Sequence, residues 1–152
     1  MREADWLDIT DALRSMLEHV APLGTETVTL DTAHGRTLAL PVISPIDQPP
    51  WDNSAMDGFA VLSSDVRGAT AHDPAILDVI EEIPAGGLPQ HAVRRGAASR
   101  IMTGAPMPTG ADGVIRIEHT RVVDDQRVAV LRDDDAGRNV RLRGEDIRAG
   151  ET

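Results

Sequence analysis

Asp47-Gln48-Pro49-Pro50-Trp51-Asp52-Asn53-Ser54-Ala55-Met56-Asp57-Gly58-Phe59-Ala60-Val61 changes character twice along its length. Pro49 and Pro50 stiffen the approach, because each ring locks φ and removes an amide donor. Asp52, Asn53 and Ser54 carry short polar side chains that bond nearby backbone and favour turns over ladders. Met56-Asp57-Gly58 then leads into Phe59-Ala60-Val61-Leu62, which reads as a strand. Trp51 and Phe59 flank the polar group, so the pattern is an apolar clamp around a tight turn that holds a carboxylate in place. Loops carried on a rigid frame are where function concentrates.

Outward from this stretch, composition bounds the class. A chain of 152 residues suits one ordinary domain or two small ones. Hydrophobic residues make up 41%, yet Trp6, Trp51 and Phe59 are the whole aromatic set, so the core must be Val, Ile, Leu, Ala and Met. A net charge of −10 argues against nucleic acid or an anionic membrane as partner. All 15 basic residues are Arg, which reads as a genomic bias. The absence of Cys excludes disulfides, a thiolate nucleophile and thiolate metal sites. No signal-peptide pattern and no membrane-length apolar run is present, so a cytoplasmic protein is expected.

Toward the N-terminus, Ile9, Ala12, Leu13, Met16, Leu17 and Val20 recur at helical spacing. They predict a helix over Asp8–Val20 that covers its own domain, with Asp8 as N-cap and Asp11 completing a shortened capping box. Pro22 and Gly24 end it. Thr25–Leu30 is β-branched and roughly alternating, predicting a short strand. Thr37–Ser44, interrupted by Pro41, reads as an edge strand or a short helix. Asp31-Thr32-Ala33 lacks the glycine and second copy of an aspartic-protease motif.

Toward the C-terminus, Phe59–Leu62, Ile76–Ile83, Ala98–Met102, Gly113–Ile117, Arg121–Val123 and Val128–Leu131 alternate with Gly/Pro turns, predicting a small irregular β unit. Asp133-Asp134-Asp135 reads as a solvated turn. Gly104 and Gly110 have the spacing of a phosphate loop, but Ala111 and Asp112 stand where Lys and Ser/Thr are needed. What remains is a Pro/Gly-ordered loop presenting the Thr103 hydroxyl. The five histidines show no metal-site spacing. Glu81 and Glu82 point to opposite faces of a strand, and no Ser-His-Asp arrangement can be read. Arg138-Asn139-Val140-Arg141-Leu142-Arg143-Gly144-Glu145-Asp146 is either a salt-bridged hinge or a set of guanidiniums facing phosphate.

Together, Pro49–Val61, Arg100-Ile101-Met102-Thr103-Gly104-Ala105-Pro106 with Pro108 and Gly110-Ala111-Asp112, and Arg141–Ile147 resemble the N-terminal part of the MoeA family, the molybdopterin molybdenumtransferases. The likeness extends through the opening helix and Gly35–Ala39. Trp51 and Phe59 stand where members often carry Phe and Tyr.

The resemblance implies an α+β, mainly β, two-lobed region. Residues 1–45 and 132–152 would form a small linking domain, and 46–131 an inserted, irregular, barrel-like β domain. A pterin-binding α/β domain and a C-terminal β domain would follow, and the ending in mid-linker at Thr152 fits a piece of a longer protein. The implied enzyme inserts molybdate into adenylylated molybdopterin with help from Mg²⁺, releasing AMP and molybdenum cofactor. It works as a homodimer supplied by the molybdopterin adenylyltransferase. Carried over by position, Asp57 and Thr103 are the expected catalytic residues, and Asp52, Asn53, Ser54, Gly104 and Arg143 the expected substrate contacts, with no metal ligand in this chain. Physically, Asp57 suits orienting a cation, a water or an Arg, and Thr103 suits donating to an anionic ligand. Glu118, Arg141, Arg143, Glu145 and Asp146 are expected to be hinge groups, with ligand contact as the alternative. This piece alone is expected to be inactive. The alternative is a free-standing dimerisation, scaffold or ligand-binding module, which a gene ending at Thr152 would favour.

Overall fold

The computed structural model describes residues 6–152, in two compact units that divide after Pro41. In the first unit, α1 spans Ile9–Leu17 and one tighter turn closes it, His19 N–H and Val20 N–H donating to Met16 O and Leu17 O. Asp8 caps it as expected, accepting from Thr10 N–H at 2.8 Å. Asp11 does not complete a capping box; it pairs with Arg14, one turn on, at 2.7 Å. The apolar face does not cover its own domain either: Ile9, Leu13, Met16, Leu17 and Val20 are all exposed.

Thr25–Leu30 forms no strand, and the first unit has none among the described residues. A lone extended segment leaves its N–H and C=O groups unpaired. Local bonding wins instead, with the Thr32 hydroxyl donating to Thr29 O at 3.0 Å across a 3₁₀ turn at Leu30–Thr32. Thr37–Pro41 is irregular as well, and Arg36 reaches back to pair with Glu26.

The second unit, Val42–Thr152, is mainly β. Its elements are β1 (Asn53–Ser54), β2 (Gly58–Val61), the short helix α2 (Ser63–Val66), β3 (Ala75–Ile83), β4 (Ala97–Ile101), β5 (Gly113–Arg116), β6 (Thr120–Asp124), β7 (Arg127–Val130) and β8 (Val140–Arg141). Six of these strands form one sheet in the order β5-β2-β4-β3-β7-β6, antiparallel except for β3 with β4. β3 pairs with β7 through Ala75–Asp78 and with β4 through Asp78–Ile83, with a bulge after Val79. The outer strands β5 and β6 are joined by only the 3₁₀ turn Ile117–His119. So short a link between opposite ends of the strand order requires the sheet to curl on itself.

β2, between β5 and β4, is buried along its whole length. Phe59 and Val61 pack with Val66, Leu77, Ala98, Ile115, Val128 and Val130, while Ala60 packs on the opposite side with Ile83, Ile101, Ala105 and Val114. Each Val, Ile or Leu side chain among them contributes about 1.5–3 kcal/mol of burial. The core is the expected Val, Ile, Leu and Ala, but it also takes in Phe59, and the expected Met contribution is limited to the partly buried Met107.

A separate two-stranded ladder pairs β1 with β8, Asn53 opposite Arg141 and Ser54 opposite Val140. Gln48 bridges Ile147, and Ser44 N–H donates to Glu151 O while Gly150 N–H donates to Ser44 O. The returning tail is thus bonded to 44–54. The compact grouping places all of 42–152 together, whereas the sequence reading joins 132–152 to 1–45.

Candidate functional site

The β2–β4 register sets Gly58 opposite Ile101, which leaves Asp57 beside the loop that follows β4. There Asp57 Oδ1 accepts from both the backbone N–H and the hydroxyl of Thr103, each at 2.7 Å. These two bonds, backbone first, and then the Arg100 charge hold the Asp57 carboxyl below the usual range. Its Oδ2 has no protein partner among the described residues. In this structure the hydroxyl of Thr103 donates to Asp57, and its oxygen keeps acceptor capacity. Gly58 is obligatory in this turn, since a Cβ there would stand 2.0 Å from Ile115 O.

The same loop is stitched at every step. Ser54 is buried, its Oγ donating to Met56 O at 2.5 Å and accepting from Met56 N–H at 3.2 Å. Ser54 N–H donates to Ala105 O, and Gly104 N–H, in a left-handed conformation, donates back to Ser54 O. Asn53 is buried in β1, and its Oδ1 has no partner among the described residues. Asp52 Oδ1 accepts from Arg143 N–H at 2.7 Å, and Asp52 O accepts from Met107 N–H. The Arg143 guanidinium donates through Nε to Asp47 Oδ2 at 2.5 Å, and Asp47 Oδ1 accepts from Ala149 N–H at 2.9 Å.

All seven residues predicted from sequence therefore fall on one cluster of three loops. Asp57 touches Thr103, Asp52 touches Arg143, and Ser54 and Gly104 are bonded through their backbones. Beside them a groove of about 350 Å³ is lined by Asp52, Met107, Asp112, Val140 and Leu142. Arg141 pairs with Asp146 at 2.7 Å and Glu145 accepts from Leu142 N–H, so those groups hold the hinge.

Sequence reasoning missed Asp135. It reads as one of three solvated acids, but it is 3% exposed. Its carboxylate accepts from Arg116 N–H at 3.2 Å and Arg116 Nε at 3.0 Å, with His119 Nδ1 2.8 Å away. Burial pushes its pKa up, but the Arg116 and Asn139 hydrogen bonds and the Arg116 charge outweigh it and hold the group at about 2. The usable signal was Gly137-Arg138-Asn139, since Asn139 takes φ of 63° and turns the chain back over the acid.

The MoeA N-terminal region (domain I and II) matches residues 7–152. The chain belongs to the MoeA family. A molybdopterin molybdenumtransferase from a Nostoc species is 48% identical over 126 residues, covering 83% of this chain and 29% of the relative. Molybdopterin molybdenumtransferase 2 of Mycobacterium tuberculosis is 44% identical over 126 residues, 83% of this chain and 31% of the relative. The crystal structure of a molybdopterin biosynthesis MoeA protein from Pyrococcus horikoshii superposes with a TM-score of 0.81 at 36% identity, over 94% of this chain and 38% of that one. The chain thus spans about a third of the length of these MoeA relatives. No helix among the described residues is long and apolar enough to cross a membrane.

Proposed function

We propose that the chain is the N-terminal part of a cytoplasmic molybdopterin molybdenumtransferase, which inserts molybdate into adenylylated molybdopterin and releases AMP and molybdenum cofactor. The single observation that carries this reading at the site is the Thr103–Asp57 lock. It fixes an ionised carboxylate where three loops meet, with one oxygen turned to no protein donor. Such a group orients a water or a cationic partner in the site without first losing a proton.

Asp52 and Arg143 set the neighbouring loop against the groove, and Asn53, Ser54 and Gly104 fix the backbone that presents Asp57. On this reading the Mg²⁺ of the family chemistry is held by residues outside this chain. On this reading the remaining length of the relatives supplies the pterin-binding α/β and C-terminal β domains. The working unit is a homodimer that receives its substrate from the adenylyltransferase.

The test is Asp57→Asn in a protein carrying the family's full length. Molybdate-dependent AMP release should fall by two orders of magnitude or more, about 3 kcal/mol or more of barrier, with folding intact. Unchanged turnover would remove Asp57 from the chemistry. The isolated chain should show no turnover, and measurable molybdate insertion by it would contradict the assignment to a partial site.

A further inference from the structure

The acid that the sequence hides, Asp135, lies directly behind the Asp57 loop. Two backbone groups anchor that loop from the rear. Ala55 N–H donates to Asn139 O at 2.9 Å, and Ile117 N–H donates to Asp57 O at 3.1 Å. The anchors belong to different chain segments, and Asp135 bonds the residue that precedes each of them. On one side its carboxylate takes the backbone and side-chain donors of Arg116, the residue before Ile117. On the other its own carbonyl accepts from Arg138 N–H at 3.0 Å, the residue before Asn139. The two segments are tied again at Val114, whose N–H donates to Arg138 O and whose carbonyl accepts from Asn139 Nδ2 at 2.9 Å. The fit is close, since a Cβ on Gly113 would stand 2.7 Å from Gly137 N.

From this arrangement we infer that Asp135 is a positioning residue for Asp57, acting through the Ile117 and Asn139 anchors. It touches no substrate. Thr103 fixes the Asp57 carboxylate from the front, and Asp135 fixes the backbone behind it, so that the free oxygen keeps one direction. A buried charge with well-directed donors is suited to this, because shifting the Arg116–Ile117 segment would leave it partly unpaired. The inference rests on the reading of Asp57 as the acting carboxylate, but its test does not need turnover.

The experiment uses the 152-residue chain and its Asp135→Asn variant. It follows the Asp57 carboxyl resonance against pH and the exchange of the Ala55, Thr103 and Ile117 amides. The amides of the β3–β7 pair serve as the internal measure of global stability. In the folded variant the Asp57 titration should move up toward an unconstrained aspartate, and the three loop amides should lose protection beyond the β3–β7 loss. A folded variant whose Asp57 titration and loop amides match the parent overturns the inference. Should Asp135→Asn not fold, Arg116→Met carries the same test, because Arg116 is partly exposed and its backbone donor survives. The same selective change is then expected, and its absence is again decisive. Loss of AMP release in Asp57→Asn of the full-length protein reports on the functional reading separately.

Discussion

Thr103 places its backbone N–H and its hydroxyl on the same oxygen of Asp57, each at 2.7 Å and across 46 positions of chain. Two donors on one oxygen stabilise the ionised form, which is why the carboxyl titrates low. A depressed acid contributes stability above its unfolded pKa and loses it as pH falls through the folded one. Thr103→Val keeps the N–H and removes the hydroxyl, so the Asp57 pKa should rise toward its ordinary value. Thr103→Ser keeps both donors and should leave it in place. Carboxyl carbon NMR reads both variants directly. Equal titrations in the Val and Ser variants would show that the hydroxyl bond is not formed in solution.

Gly58 and Gly104 flank this lock and make opposite demands. At Gly58 an added Cβ would collide with the Ile115 carbonyl of the neighbouring strand at 2.0 Å. Gly58→Ala must push β2 from β5 and should cost about 3 kcal/mol. Gly104 has open space around its Cα and only a left-handed φ of 83° to defend. Gly104→Ala should therefore cost about 1–2 kcal/mol. Urea unfolding of the two variants tests the order, and a costlier Gly104→Ala would contradict the close β2–β5 approach.

Most strands of the second unit were legible because alternating or buried apolar runs are bounded by Gly and Pro. Ile76–Ile83, for example, announces β3 to within one residue. The same local logic failed at Thr25–Leu30, where strand-forming side chains meet no partner strand and the Thr32 hydroxyl turns the backbone instead. For the site, Asp57 and Thr103 could be named from their motifs, but their contact depends on the β2–β4 register, which no local pattern encodes. Asp135 was illegible for a related reason. Three consecutive acids look solvated, and only the fold brings Arg116 and His119 to the third of them.

Asp135 should also shape the acid limb of stability. Its pKa falls from 3.8 to about 2 on folding, and its side chain is 5% exposed. A difference of that size corresponds to about 2 kcal/mol at neutral pH. Because the folded value is the lower one, the contribution is complete above the unfolded pKa and drains away between about pH 4 and pH 2. Asp135→Asn should be less stable than the parent by about 2 kcal/mol at pH 7, with the gap closing as pH falls through that window. Chemical denaturation at several pH values measures this. A gap that stays constant down to pH 2 would assign the loss to shape rather than to charge.

Asp47 tests whether the returning tail is held at one point or along its length. One carboxylate oxygen accepts from Arg143 Nε and the other from Ala149 N–H, so a single side chain spans both ends of the Arg143–Ala149 turn. Those bonds, the Ala149 N–H first, depress its pKa, which keeps it ionised and acceptor-only through the neutral range. Backbone bonds from Gly144 to Pro49 and from Asp146 to Gln48 lie between the two ends and do not involve the side chain. Asp47→Ala should therefore speed exchange at the Ala149 amide by about tenfold, the loss of one net hydrogen bond. The Gly144 and Asp146 amides should change little, and the β2–β5 amides not at all. Uniform acceleration along 140–151 would instead make Asp47 the latch of the whole tail, and the β1–β8 ladder dependent on it.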